Sequence, residues 1–302
     1  MKKIIFISLV ACCFQTFKAE AQQQFMITQY MYNGLAMNPA YAGIHNGISA
    51  SMLTRHQWVG IDGAPSTQFV SVHGPLRYKP ISLGALIYRD VIGVKKEHTG
   101  YFSYAYRIGI VKDIKLSFGI QANFHQLNQN FLYDNTVDDG GDPLLANNNA
   151  FKFNSGAGLL LHSDVFYVGL SSPQLFKSKY GSRDFNTSSR LVRHYYITAG
   201  YAFVLPNDIV LKPNTLVKAV ANAPVQIDLN MNILLKNILW LGISHRWKES
   251  NSLLAALQLG SQWQIGYAFD LNNNDLNRTS HEVMLNFIFD FPTSKVLTPR
   301  YF

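Results

Sequence analysis

The chain has 302 residues, of which 48% are apolar and only 15% charged, and its formal net charge is +8. A charged fraction below the ~25% of soluble domains, with 20 Phe and 16 Tyr, excludes a disordered chain. Two cysteines in this length exclude a disulfide scaffold, and the scattered basic residues form no run of the kind that grips nucleic acid.

Lys2 and Lys3 open the chain. Ile4 to Phe14 is an apolar run too short to cross a bilayer as a helix, and Ala19-Glu20-Ala21 is a small-x-small cleavage site. Residues 1–21 therefore read as a secretory signal peptide, with Gln22 as the first mature residue. Leu9-Val10-Ala11-Cys12 also has the form of a lipoprotein box, which would leave a lipidated Cys12. The Ala-Glu-Ala site followed by Gln22, Gln23 and Gln24 fits better. Both cysteines, Cys12 and Cys13, lie in this leader, so cleavage after Ala21 removes any disulfide, thiolate metal site or cysteine nucleophile. The leader holds Lys2, Lys3, Lys18 and Glu20, a net of 3 − 1 = +2, which leaves 8 − 2 = +6 on the mature chain.

From Gln22 to Thr54 there is no Lys, Arg, Asp or Glu. Such a segment can enter a confined space without stranding a charge. Beyond it, period-2 alternation recurs along the chain. In Ile114 to His125 one face is Ile114, Leu116, Phe118, Ile120, Ala122 and Phe124, and the other Lys115, Ser117, Gly119, Gln121, Asn123 and His125. Val225 to Lys236 sets Val225, Ile227, Leu229, Met231, Ile233 and Leu235 against Gln226, Asp228, Asn230, Asn232, Leu234 and Lys236. Gln262 to Asp270 and Val283 to Phe291 repeat the pattern. Strands place alternate side chains on opposite faces. About fourteen strands follow, over 47–58, 66–76, 80–90, 97–109, 113–131, 150–162, 165–172, 191–205, 208–220, 225–236, 238–249, 252–260, 261–270 and 279–291. The segments at 66–76 and 208–220 alternate poorly; Pro213 interrupts the second and Pro75 ends the first.

The long connections, 132–149, 173–190 and 271–278, all follow odd-numbered strands and so share one end. Connections after even strands are short, as at Pro206-Asn207 and Gly260-Ser261. Long external loops and short periplasmic turns mark outer-membrane barrels. A soluble sandwich would also alternate. Here the apolar faces carry no charge, and a Lys or Arg facing mid-bilayer costs ~2–4 kcal/mol. Aromatics such as Trp58, Tyr88, Trp240, Trp247 and Trp263 fall near strand ends, where interface girdles lie. The polar faces are rich in the uncharged Asn, Gln, Ser and Gly, as suits a hydrated lumen. The predicted fold is an all-β, transmembrane, antiparallel up-and-down β-barrel over 47–291. The N-terminal segment 22–46 and the C-terminal tail 292–302 fall outside the strand pattern. Residues 22–46 are expected to fold into the lumen, to cap its periplasmic mouth, or to lie outside the barrel as a strap.

Gln24 to Gly43 reads QFMITQYMYNGLAMNPAYAG. Arg55-His56-Gln57-Trp58-Val59-Gly60, Gly63-Ala64-Pro65-Ser66-Thr67-Gln68, Leu211-Lys212-Pro213-Asn214, Ala223-Pro224-Val225-Gln226-Ile227-Asp228-Leu229-Asn230, Ser280-His281-Glu282-Val283-Met284-Leu285 and Thr298-Pro299-Arg300-Tyr301-Phe302 follow. This set resembles the PorP/SprF family of the type IX secretion system, outer-membrane proteins of Bacteroidota. The resemblance implies an accessory barrel, integral to the cell outer membrane and not itself the protein-conducting channel. It further implies binding, with no catalysis, that supports secretion or surface attachment of a large partner carrying a type IX C-terminal domain, such as an adhesin or gliding-related protein. Other type IX outer-membrane or periplasmic components are possible further partners. Some relatives carry a peptidoglycan-binding domain; none is expected after Phe302. A passive porin or small hydrophobic-solute transporter is the alternative reading.

No residue pattern implies a cofactor, a metal or a catalytic set. His281-Glu282 and His162-Ser163-Asp164 are the nearest local groupings, but neighbouring strand residues face opposite sides. Asp138-Asp139-Gly140-Gly141-Asp142 lacks calcium-loop spacing and reads as a solvated loop. Asn147-Asn148-Asn149 and Asn272-Asn273-Asn274 read as loop tips. Arg55, Trp58 and Arg246 are the candidates for contact or lumen-network roles.

Overall fold

A computed structural model describes residues 25–45, 47–76, 80–111, 113–129, 148–179, 190–221, 223–273 and 278–290. Its strands are β1 (Gly47–His56), β2 (Ser66–Pro75), β3 (Ile81–Ile92), β4 (Lys95–Val111), β5 (Ile114–Gln129), β6 (Asn148–His162), β7 (Phe166–Ser172), β8 (Ser178–Lys179), β9 (Arg190–Leu191), β10 (His194–Tyr201), β11 (Phe203–Leu205), β12 (Ile209–Val220), β13 (Gln226–Leu235), β14 (Leu239–Arg246), β15 (Ser250–Leu259), β16 (Trp263–Asn272) and β17 (Thr279–Asp290). β1 to β7 and β12 to β17 each pair antiparallel with the next in sequence, β7 pairs with β10, and β8–β9 form a small separate hairpin. The pairings β1–β17 and β10–β12 close the sheet into a barrel of fourteen staves, with β11 as an extra short strand on β12.

Period-2 alternation becomes an inside and an outside. In β13, Asp228, Asn230, Asn232 and Leu234 are buried inward while Leu229 and Met231 are exposed. In β1, Gly47, Ser49, Ser51, Leu53 and Arg55 point in, and Ile48, Met52 and His56 point out. The outward apolar row of β5 runs from Ile114 to Phe124. At ~3.3 Å per residue and a tilt of roughly 40°, that row covers about 25 Å of membrane normal, the height of an outer-membrane apolar band. Among the described residues no helix is long and apolar enough to cross a membrane.

Both doubtful segments are strands. β12 accommodates Pro213 because of where its neighbour breaks. The β10–β12 ladder stops at Gly200↔Asn214, and pairing resumes at Phe203↔Leu211 in β11. The proline, which has no N–H to give, falls in that gap, while its β13 ladder through Met231 is unbroken. The missing donor thus divides β10 from β11.

Residues 25–45 pass through the interior. Three single-turn 3₁₀ helices, Tyr30–Tyr32, Gly34–Ala36 and Pro39–Tyr41, fold the segment compactly. Ile27, Tyr30, Met31, Leu35, Ala36 and Met37 form one cluster with Leu53, Phe69, Leu86, Tyr101, Tyr196, Leu216, Leu254 and Met284 of the wall. The barrel's apolar core is therefore built around its own N-terminal segment. Apolar burial of this kind is worth about 25 cal/mol per Å².

Candidate functional site

The site is the contact between this segment and the lumen wall. At its upper end, toward the long loops, Arg55 of β1 sits between Asp270 of β16 (2.6 Å) and Glu282 of β17 (3.2 Å). All three are essentially fully buried. The Glu282 carboxylate accepts the backbone N–H groups of Thr28 and Gln29, each at 2.8 Å. The Thr28 hydroxyl lies 2.9 Å from Asp270 and accepts from Arg55 at 3.0 Å. One cation, two carboxylates and two backbone donors thus meet where no bulk water does, with only the Arg55 Nε of this group left without a partner. Phe25 packs against Tyr88 with its ring tilted by 49° and the centroids 4.4 Å apart.

Two strands on from β16, Arg246 of β14 pairs with Asp228 (3.0 Å), approaches Glu249 (3.8 Å) and donates to the Ile27 carbonyl (3.5 Å). Lower down, Lys212 of β12 lies over the Tyr32 ring, 5.6 Å from its centroid. Asn33 donates to Ser71 at 2.8 Å. Asn38 caps the third 3₁₀ turn by accepting the Ala40 N–H at 2.9 Å, and its amide donates to the Leu159 carbonyl at 2.9 Å.

At the periplasmic end Gly43 is fixed from both sides. Its N–H donates to His73 at 3.0 Å, and its carbonyl accepts from Arg107. It adopts φ +68°, and an added Cβ would lie 2.2 Å from the Ser82 hydroxyl. No residue with a side chain fits there. Wall glycines give the segment its track. A Cβ at Gly84 would press on Leu35, at Gly119 on the Ala40 backbone, at Gly158 on Asn38, and at Gly266 on Gln29.

Of the sequence candidates, Arg55 and Arg246 both enter this network. Trp58 lies in the loop after β1 with φ 47°, its N–H on the Ser280 hydroxyl at 3.3 Å. Glu282 points inward, and His281 points outward to the Tyr267 hydroxyl (2.6 Å). His162 is buried near Ser117 (3.4 Å), with Ser163 and Asp164 in the turn beyond it. Asn149 and Asn273 are exposed. Residues 138–142, Asn147, Asn274, the leader and the tail 292–302 lie outside the described residues. Sequence reasoning missed Thr28, Gln29, Asn38 and Gly43 as anchors. The signal was a charge-free run rich in Asn and Gly, which names no partner until the barrel closes around it.

An apolar, charge-poor outer wall around a polar interior defines an integral outer-membrane β-barrel. The sequence matches the family described as type IX secretion system membrane protein PorP/SprF over residues 19–287, and the chain belongs to that family. It is a membrane component of the type IX secretion system located in the outer membrane. A search of curated proteins found no match. Among solved structures the chain is similar to the CymD monoaromatic hydrocarbon channel, at 10% identity and TM-score 0.50, covering 88% of this chain and 94% of that one. It is also similar to the Ralstonia pickettii toluene transporter TbuX, at 11% identity and TM-score 0.49, covering 86% and 93%. The Acinetobacter baumannii outer membrane protein Omp33 matches at 8% identity and TM-score 0.47, covering 82% and 100%. At such identities the likeness concerns the fold alone.

Proposed function

We propose that this chain is an accessory barrel that supports secretion or surface attachment of a large partner protein by binding it, without catalysis and without conducting it. The observation that carries this reading is the occupied lumen. Residues 25–45 fill the interior and are tied to Glu282 at one end and to Arg107 and His73 at the other. A segment whose backbone is hydrogen-bonded to buried charged groups of the wall does not yield to a passing solute without a large free-energy cost. That leaves the rim and the outer wall as the working surfaces. The partner class that fits the family is a secreted protein with a type IX C-terminal domain, an adhesin or a gliding-related protein, with other type IX components as further neighbours.

Two measurements test this. Affinity purification from detergent-solubilised membranes, followed by mass spectrometry, should recover one large secreted protein. Deleting the gene should abolish surface display of that protein and leave small-solute uptake intact. Normal display together with impaired uptake of small hydrophobic solutes would overturn the reading in favour of a transporter.

A further inference from the structure

The outward faces of the barrel strands are nearly free of formal charge. Among the described residues of those strands, only Arg89 of β3 and Lys96 of β4 are charged, outward-facing and exposed, and they stand on neighbouring strands. No outward acid accompanies them: Asp90 and Glu97, their chain neighbours, point the other way. Among the described residues neither cation forms an ion pair.

The pairing registers place Arg89 in a continuous polar row, with Lys96 one outward position above it on β4. Gln68 of β2 is directly opposite Arg89, Arg89 opposite His98 of β4, and His98 opposite Gln126 of β5. Residues in such a row lie about 5 Å apart. All four side chains are exposed. One outward position lower the wall turns apolar, with Val70, Ile87 and Phe124. The row therefore stands at the upper edge of the membrane band, on the side of the long loops.

An aromatic shelf adjoins it, with Phe151 of β6 continuing the row directly opposite Gln126 and Phe102, Phe124 and Phe153 below. The rings of Phe102 and Phe124 are 6.1 Å apart, Phe124 and Phe151 6.2 Å, and Phe151 and Phe153 4.9 Å. Phe124 folds over Gly100, where an added Cβ would meet its ring at 2.1 Å. Phe151 and Phe153 are 52% and 74% exposed, open to whatever surrounds the barrel.

We propose that this face of β2–β6 docks a phosphorylated lipid of the outer leaflet. Arg89, Lys96 and His98 receive its phosphorylated head, Gln68 and Gln126 hydrogen-bond the polar groups beside it, and the Phe shelf packs its acyl chains. Charge complementarity selects the occupant: two cations without a counterion face the layer where lipid phosphates lie, and a guanidinium grips phosphate in bidentate fashion. The apolar shelf selects a lipid over a free anion. The site lies outside the lumen and does not depend on the binding role proposed above.

The test uses the full-length protein in detergent with a synthetic bisphosphorylated lipid A as probe, and native mass spectrometry to read the bound fraction. The double variant R89Q/K96Q should lower apparent affinity about tenfold or more, since each basic side chain near an anionic headgroup layer contributes about 1 kcal/mol. The control K236Q/K248Q, which removes two exposed turn lysines, should bind as the parent does. The dephosphorylated lipid should bind the parent about as weakly as the bisphosphorylated probe binds R89Q/K96Q. Equal losses in both variants, unchanged binding in R89Q/K96Q, or equal affinity for the dephosphorylated lipid would each overturn the proposal. Exposed Gln substitutions leave the fold in place, which unchanged heat-modifiable gel mobility verifies.

Discussion

The two ends of the lumen segment are held by different physics. At the upper end the fixing is electrostatic. Glu282 accepts two consecutive backbone N–H groups while Arg55 pairs with both it and Asp270. At the lower end it is steric and conformational. Gly43 turns at φ +68° in a space with no room for a methyl group, and His73 and Arg107 take its N–H and carbonyl. The upper clamp is the stronger per residue, because a buried charge left alone is expensive. The lower clamp is the more exacting about residue type. Together they show how a segment without a single charge is fixed in a charged lumen: the wall brings the charges, and the segment offers backbone, the Thr28 hydroxyl and amides.

The contrast can be broken from either end. E282A should have the largest effect, about 3–5 kcal/mol, because it orphans the buried Thr28 and Gln29 N–H groups, at about 1–3 kcal/mol each, and takes one of two carboxylates from Arg55, which keeps Asp270. Urea unfolding in detergent would read it, and E282Q, which keeps one acceptor oxygen, should lose less. G43A should cost about 2–4 kcal/mol, combining the left-handed backbone with overpacking against Ser82. Adding S82G should restore the packing part and leave the roughly 1–2 kcal/mol backbone part, which separates the two causes. N38A removes the cap on Ala40 and the bond to Leu159 and should cost about 1–2 kcal/mol in the same assay. H281Q, one residue from Glu282 on the outward face, should change stability by less than about 0.5 kcal/mol. If H281Q matched E282A, the division between inner and outer faces would fail.

Much of the architecture is legible in the sequence, because one side of each strand meets lipid and the other meets the lumen. β5 and β13 emerge with the same residues on the same faces that alternation assigns. Pro213 makes β12 look doubtful, since whether a missing N–H matters depends on a neighbour that the sequence does not place. The small β8–β9 hairpin has too few residues for any period to show. Arg55 and Arg246 stand out as cations on polar faces. Their partners Asp270, Glu282 and Asp228 do not, because which strands meet is decided by closure. Thr28 and Glu282 are 254 positions apart. Gly119 and Gly266 are visible on polar faces, yet their role as a track appears only once Ala40 and Gln29 lie against them. Local alternation is a short-range property, whereas the lumen network is assembled from residues near both ends of the chain.

Conductance in planar lipid bilayers addresses the central claim most directly. If residues 25–45 close the lumen, the full-length protein should show no steady ion current. A variant lacking residues 24–40 should then open an ohmic pore, because the wall keeps its polar inner face once the segment is gone. Equal conductance from the two proteins, whether open or silent, would contradict the account.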